Sequence, residues 1–424
     1  MTTNFLHGVE VLELTQGLRP INTVRSAVIG LIGTAPDATS AFPLDTPVLI
    51  NGSRSAAAGL GSTGTLPNAI DAIFKQIGAS VVVVRVAEGA DLAATTANVV
   101  GSSSASTGVW AFTAAESVLG VTPKILCAPG FTHQATLTSG SEVANTVVAE
   151  LASIAAGSTG VSDRLRAVVI ADGPNTNQAD AQAYAALHRS DRVYVVDPHV
   201  KVNRGGSVVA EPASAFVAGV IAKSDAERGF WYSPSNRRIQ GIVGTSRPVG
   251  FFLGDQNSEA NIANENDVAV VIRENGFRLW GNHSTTTDAQ FQFLATRRIV
   301  DMVNESVMRA HLWAVDRCIT RTYLEDVRES VDAYLRSLQA RGAILGFRVF
   351  VDPDANSETD IAAGRVTIDF EMTPTYPAER VTFRSRVTNG FIQNILTDTV
   401  AADESDNDEG QENAPGNEES TTQD

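Results

Sequence analysis

The triplet Gly244-Thr245-Ser246 lies downstream of Asp172 and Asp197 and of His188 and His199, so acid, histidine and serine occur in an order that a nucleophilic hydrolase can use. That chemistry needs the serine hydroxyl aligned with a histidine base, a carboxylate orienting the base, and donors for the oxyanion. Arg247-Pro248 follows Ser246 at once, where a catalytic serine of this order continues through small residues into a helix. The expectation is no working triad and no enzymatic activity. The six histidines, His7, His133, His188, His199, His283 and His311, show no His-Glu-x-x-His pattern or paired metal spacing. Asp352, Asp354, Asn356 and Glu358 have carboxylates at calcium-loop intervals but lack the required glycine and terminal glutamate spacing, so an acidic turn is expected. Asp172 and Asp197 each end an apolar strand candidate, which can set carboxylates at a ligand-binding sheet edge. Neither is followed by a glycine-rich phosphate loop or a Walker lysine, so no nucleotide, cofactor or metal site is expected.

The 424 residues suffice for two or three domains with substantial cores. No apolar run approaches the roughly 20 residues that span a bilayer, and the N-terminus lacks a charged-then-apolar signal, so the chain reads as soluble, made in the cytoplasm, with no membrane insertion. Cys127 and Cys318 are the only cysteines, which excludes a disulfide framework; both are expected to be buried, inert thiols. The net charge of −16 argues against direct nucleic-acid binding, but it is unevenly spread. Residues 401–424 carry nine acids and no Lys or Arg, more than half of that charge. A segment of this composition cannot bury a core and is expected to be a disordered, solubilising tail.

The elements that must position these groups follow from hydrophobic period. Residues 9–14 are a short apolar strand candidate with Val9, Val11, Leu12 and Leu14, followed by Gly17 and Pro20. One strand this short is unstable alone and must add to a sheet edge, its own or a neighbour's. Residues 24–34 and 81–86 read as strands, and 67–77 as a helix with Pro67 in its first turn and Ile70, Ile73, Phe74 and Ile77 on its apolar face. Between 101 and 248, strand candidates 124–128, 167–172 and 193–197 alternate with helix candidates near 108–119, 141–156, 178–189 and 212–223. That alternation predicts a doubly wound, largely parallel α/β sheet. Asn275-Gly276 between apolar runs is a hairpin signal.

Residues 291–396 close the chain with a helix-and-sheet pattern. Ile299, Val300, Val303, Val307, Ala310 and Ala314 form one helical stripe. A second helix is predicted to open at Thr322, which has capping-box spacing to Glu325, and to stop at Gly342 after Arg341. Leu324, Val327, Val331, Tyr334, Leu335 and Leu338 make its apolar face; Arg328, Glu329, Asp332 and Arg336 lie on the polar one. Residues 343–351 read as a buried strand, and 365–371 and 381–387 as alternating strands that can pair acid with arginine.

Several blocks in register carry a family resemblance. Residues 229–236 (Gly-Phe-Trp-Tyr-Ser-Pro-Ser-Asn), 275–281 (Asn-Gly-Phe-Arg-Leu-Trp-Gly), 312–316 (Leu-Trp-Ala-Val-Asp) and 341–346 (Arg-Gly-Ala-Ile-Leu-Gly), with 7–11 and 27–36 before them, resemble the tail sheath proteins of contractile-tailed bacteriophages and R-type tailocins over roughly residues 5–396. The resemblance implies an α/β and α+β multi-domain chain: an N-terminal strand-donating arm at 1–22, an α/β segment at 23–100, and a subtilisin-like, non-catalytic domain at 101–250. An assembly domain at 251–387, a C-terminal arm at 388–400 and the acidic tail complete it. It implies stacked six-fold rings forming a helical sheath around a tail tube protein, bounded by baseplate and tail terminator proteins. The sheath is assembled in the host cytoplasm as part of the virion tail and contracts to drive the tube through the host envelope for genome ejection. Carried over by position, the arms use Val9, Val11, Leu12, Leu14, Phe391, Ile392 and Ile395, with hinges at Gly17 and Gly390. Arg328, Glu329, Asp332 and Arg336 become tube-attachment candidates, although their i,i+4 spacing equally suits an ordinary solvated face. A genome-free injection device and a hydrolase-like α/β enzyme remain the alternative readings.

Overall fold

The computed structural model describes residues 21–137, 142–156 and 165–392. In chain order the elements are β1 (Ile29–Thr34), β2 (Pro47–Asn51), α1 (Arg54–Ala57), α2 (Leu66–Gln76), β3 (Ser80–Val86), α3 (Leu92–Val100), α4 (Ala115–Leu119), β4 (Ile125–Cys127), α5 (Thr146–Ala156), β5 (Val168–Asp172), α6 (Gln178–His188), β6 (Val193–Val196), β7 (Val200–Arg204), β8 (Ser207–Glu211), α7 (Ser214–Glu227), β9 (Gly244–Thr245), α8 (Glu259–Glu265), β10 (Val268–Arg273), β11 (Phe277–Trp280), α9 (Leu294–Ala310), α10 (Arg321–Ala340), β12 (Ile344–Phe350), α11 (Glu358–Ala362) and β13 (Asp369–Pro374). They belong to one compact unit, Met1–Pro377; Ala378–Asp424 forms a second.

Eight strands make one sheet in the order β11-β10-β6-β5-β4-β1-β3-β2. The six inner strands are parallel, and β2 and β11 close the edges antiparallel. Parallel strands covered on both faces are apolar at every position rather than alternately. In β1, Ile29 and Leu31 enter one core with α2 and α7, while Ile32, with Val28 just before the strand, enters the opposite core with α5, α6 and α8. Gly30 permits the close approach of that second layer: a Cβ there would lie 2.6 Å from Leu126 Cδ2. Helix α7 is buried around most of its circumference, as expected for a helix inside a layered fold. Asn275 (φ 49°) and Gly276 (φ 101°) adopt the left-handed geometry that joins β10 to β11 in the expected hairpin.

The sheet takes strands from both sides of the 100/101 and 250/251 borders, so main-chain pairing is continuous across them. A third core unites α9, α10 and β12 through Ile299, Met302, Val303, Val331, Tyr334, Leu335, Leu338 and Ile344, with Phe230 from the loop after α7. Ile21 and Val24 pack on it, and Thr23 Oγ1 lies 3.1 Å from the Tyr334 hydroxyl.

Several expectations need correction: the strand expected to be buried at 343–351 is β12, in which only Ile344 is buried and Leu345 is exposed. Helix α10 is capped by Thr320, whose extended backbone lets its hydroxyl accept from Tyr323 N at 3.2 Å; Glu325 instead pairs with Arg321 at 2.8 Å. The strand expected at 365–371 begins only at Asp369, because Thr367 N is taken by the Asn356 side chain at 2.8 Å. Residues 381–387 form no strand. Cys127 is buried, and burial pushes its thiol pKa up, but Cys318 is exposed in the turn before α10. Among the described residues, no helix is long and apolar enough to cross a membrane.

Candidate functional site

The C-terminal edge of the parallel sheet is where an α/β fold would bind a ligand. Strand order reverses at β1, flanked by β3 and β4. The opening beyond it is filled from within. Thr65 N donates to Thr34 O (2.9 Å), Thr34 N donates to Thr65 Oγ1 (3.1 Å), and Gly64 lies so close that a Cβ would sit 2.4 Å from Thr34 O. Asp37 accepts from the Thr63 hydroxyl (2.6 Å) and from the backbone N–H groups of Ser62 and Thr63, which hold its carboxyl well below the usual range.

The residues of the hypothetical triad are present nearby but differently engaged. Asp172, fully buried, accepts from Ser214 N (2.7 Å), Ser214 Oγ (2.6 Å) and Thr132 Oγ1 (3.1 Å), and so anchors the start of α7. Asp197 accepts from Asn175 N at 2.8 Å and pairs with Arg247; burial nevertheless raises its pKa, with Arg247 opposing. Ser246 donates to the Asn175 side-chain oxygen, and its N–H donates to His199 O at 2.9 Å. The serine therefore has an amide acceptor rather than an imidazole base. His199 meets His133 edge to face at 5.3 Å between ring centroids; burial, then His199, lowers the His133 pKa. Among the described residues no cluster of three or more His, Cys, Asp or Glu could hold a metal ion. Asp352 accepts from Asp354 N at 2.9 Å and Ser357 caps α11, so the acidic stretch closes as a turn.

His188 stands apart at the end of α6, its ring edge-on to Tyr184 at 4.8 Å and its Nε2 without a partner. Burial pushes its pKa down from 6.5 to about 4. Above pH 6.5 both folded and unfolded chains hold it neutral. As pH falls from 6.5 towards 4 the unfolded chain takes the proton first, and stability drops. Between pH 7 and pH 5 wild type is expected to lose about 2 kcal/mol more than His188→Gln in urea titrations. Parallel pH profiles for the two proteins would refute this assignment.

At the opposite, N-terminal edge of the sheet, α9 is held by charge. Lys124 and Arg192 precede β4 and β6, and Asp301 and Glu305 lie one turn apart on α9. Arg192 reaches Asp301 through two nitrogens (2.5 and 3.1 Å) and also donates to Ala167 O. Lys124 pairs with Glu305 and donates to Leu165 O at 2.6 Å. Burial lowers the Lys124 pKa against the opposing charge of Glu305. Arg298 pairs with Asp225 at the end of α7 (2.8 and 2.5 Å). All six side chains are almost completely buried.

The far side of the α9–α10 core carries a two-stranded sheet, β12 against β13, with no third described strand at either edge. A two-stranded sheet leaves both edges with unpaired backbone groups, a template for strand addition. Leu345 is 61 % exposed on β12. On α10, Arg328, Glu329 and Arg336 are exposed and Asp332 borders solvent; Asp332 pairs with Arg336 at 2.6 Å, while Arg328 comes within 3.9 Å of Glu329. In the second unit, Val381, Phe383, Val387, Phe391 and Ile392 are all exposed. Gly390 N donates to Thr388 Oγ1 at 3.1 Å. Val9, Val11, Leu12, Leu14, Gly17, Ile395 and the 401–424 tail lie outside the described residues.

Residues 26–86 match a family model for the tail sheath protein Gp18 domain III N-terminal region, 98–285 one for the phage tail sheath protein central domain, and 286–388 one for the phage tail sheath C-terminal domain. A prophage protein of Pseudomonas aeruginosa (strain UCBPP-PA14), described as a major tail sheath protein, is 37% identical over 399 residues, 93% of this chain and 99% of the relative. The tail sheath protein of Escherichia phage P2 is 32% identical over 411 residues, covering 93% and 98%. The contracted sheath complex of an extracellular contractile injection system, PVC, shares the fold at a TM-score of 0.65 and 18% identity, over 93% of this chain and 100% of that one. The contracted helical sheath of the anti-feeding prophage does so at 0.64 and 20%, over 91% and 99%. The chain belongs to the phage tail sheath protein family.

Proposed function

We propose that this chain is the structural subunit of a contractile tail sheath in the virion tail, polymerising helically around the tail tube and contracting to drive it through the host envelope. The observation that carries this reading is the match of three successive sheath segments, in chain order, from residue 26 to 388. In the finer reading, six-fold rings stack along the tube and meet baseplate and terminator proteins at the two ends. Residues 1–22 and 388–400 are arms that add strands to β12/β13 sheets of neighbouring copies, hinged at Gly17 and Gly390. The open edges of that sheet and the packing of Ile21 and Val24 on the core beneath β12 support this. Arg328, Glu329, Asp332 and Arg336 face the tube. Head-to-tail contacts of this kind repeat along a helix without closing.

The eight-stranded α/β body, in the same reading, is a doubly wound, subtilisin-like scaffold without catalysis. The hydrogen bond from Ser246 to Asn175 and the Arg247–Asp197 pair support that assignment. Nitrophenyl ester hydrolysis by the purified chain is expected to stay at background and to be unchanged in Ser246→Ala; a serine-dependent rate would reject the non-enzymatic reading.

Negative-stain electron microscopy tests the assembly directly. Full-length protein, alone or with tail tube, is expected to give long hollow sleeves, and removal of residues 1–20 to abolish them. Sleeves that persist without the arm would remove its necessity. Small particles only, even with tube present, would overturn the sheath reading.

A further inference from the structure

Although the chain carries a net charge of −16, it holds a cavity of about 480 Å3 lined by Lys223, Arg228, Arg237, Arg238 and Arg278, against one carboxylate, Glu227. Three local features bring the cations together. Helix α7 ends there, placing Lys223 just before its last turn and Arg228 at its cap. The following loop returns at 235–240, and a bridge joins Arg238 to Arg278 on β11. Glu227 is occupied by Arg237, with Lys223 at 3.9 Å. Arg278 is spread by backbone acceptors, with Nε donating to Glu274 O at 2.9 Å and Nη1 to Asn236 O at 3.0 Å. Among the described residues no carboxylate lies within ion-pair distance of Arg228, Arg238 or Arg278; Arg228 rests over the Tyr232 ring at 5.8 Å.

A concave surface with several cations and one occupied acid favours an anion with many carboxylates in flexible array, because each guanidinium offers a fork of donors to a carboxylate. Lys223 and Arg228 partly answer the negative end of α7, whereas Arg238 and Arg278 stand off that helix. We propose that this cavity binds the acidic segment 401–424, supplied by a second copy of the chain. That segment has nine acids and no Lys or Arg, so its charge is opposite to that of the cavity. The proposal rests on the polymeric reading only for the copy that supplies the segment.

Glutamyl endopeptidase cuts after Glu404, Glu409, Glu412, Glu418 and Glu419, so cleavage of the full-length chain reports whether the segment is covered. At low salt the wild-type segment is expected to be cut about five-fold more slowly than in Arg228→Gln/Arg238→Gln, a size set by the loss of two partly exposed ion pairs. The difference should close near ~1 M salt, where charges are screened within about 3 Å, and protection should fall on dilution. Inorganic polyphosphate added to wild type should release the segment as the substitutions do, which keeps the test valid if the double variant folds poorly. Sedimentation of the same samples reads sleeve content separately. Equal cleavage of wild type and variant at equal sleeve content, protection insensitive to dilution, or no effect of polyphosphate would each overturn the proposal.

Discussion

Asp301→Ala is expected to lower the unfolding free energy by about 3–5 kcal/mol, the range found when one partner of a buried ion pair is removed. Asp301 is 1 % exposed and receives Arg192 through two nitrogens and Arg297 at 2.9 Å. Its loss removes two charge-assisted bonds from the Arg192 guanidinium, itself 2 % exposed, and one from Arg297. The cost is thus chiefly that of breaking a buried ion pair from one side. Removing the cation as well, in Asp301→Leu/Arg192→Met, should recover most of the loss, since an apolar pair of similar volume needs no ionic partner. Asp332→Ala, which breaks an exposed pair on α10, should cost only about 0.3–0.5 kcal/mol. Urea titration of dilute, unpolymerised protein measures all three. A loss below about 1 kcal/mol for Asp301→Ala would mean that water enters and screens this edge.

The same helix shows where sequence reasoning reached and where it stopped. Ile299 and Val303 were legible as core because they recur at helical spacing, and both are fully buried. Arg297, Arg298, Asp301 and Glu305, which the apolar stripe leaves out, are buried as well. Charged residues are almost never fully buried unless paired. The partners of Glu305, Asp301 and Arg298, namely Lys124, Arg192 and Asp225, lie 73 to 181 positions away, so no local pattern announces them. Apolar runs located the inner strands well because burial on both faces leaves a continuous signal. The β7–β8 hairpin was missed although Gly205-Gly206 separates two short alternating strands, a signal available in the sequence. The Thr320 cap was displaced by two residues because Thr322 offered the same chemistry with a better-spaced glutamate. At the C-terminal sheet edge the residue types were legible, but the engagement of Ser246 with Asn175 depends on loops 71 positions apart.

Phe383→Asp/Val387→Asp is expected to abolish sleeves while leaving the isolated subunit unchanged. Phe383 is 90 % exposed and Val387 98 % exposed, so an isolated chain loses no packing when they become polar. Urea midpoints should then agree with wild type within about 0.5 kcal/mol, the usual range for surface substitutions. In the assembly the balance differs. The alternation of Val381, Phe383 and Val387 with Thr382, Arg384 and Arg386 is a half-buried strand pattern, and within one chain these residues form no strand. A partner sheet from another copy would bury the apolar set and accept the backbone hydrogen bonds. Burying a Val or Phe side chain is worth about 1.5–3 kcal/mol, whereas two aspartates there would each need desolvation without a partner. Because every copy repeats the interface, the deficit recurs at each step of polymer growth. Electron microscopy and sedimentation read the polymer, and urea titration reads the subunit. Sleeves of normal length would show that 381–387 stays solvated in the assembly, while a shifted midpoint would place its apolar residues in the subunit's own core.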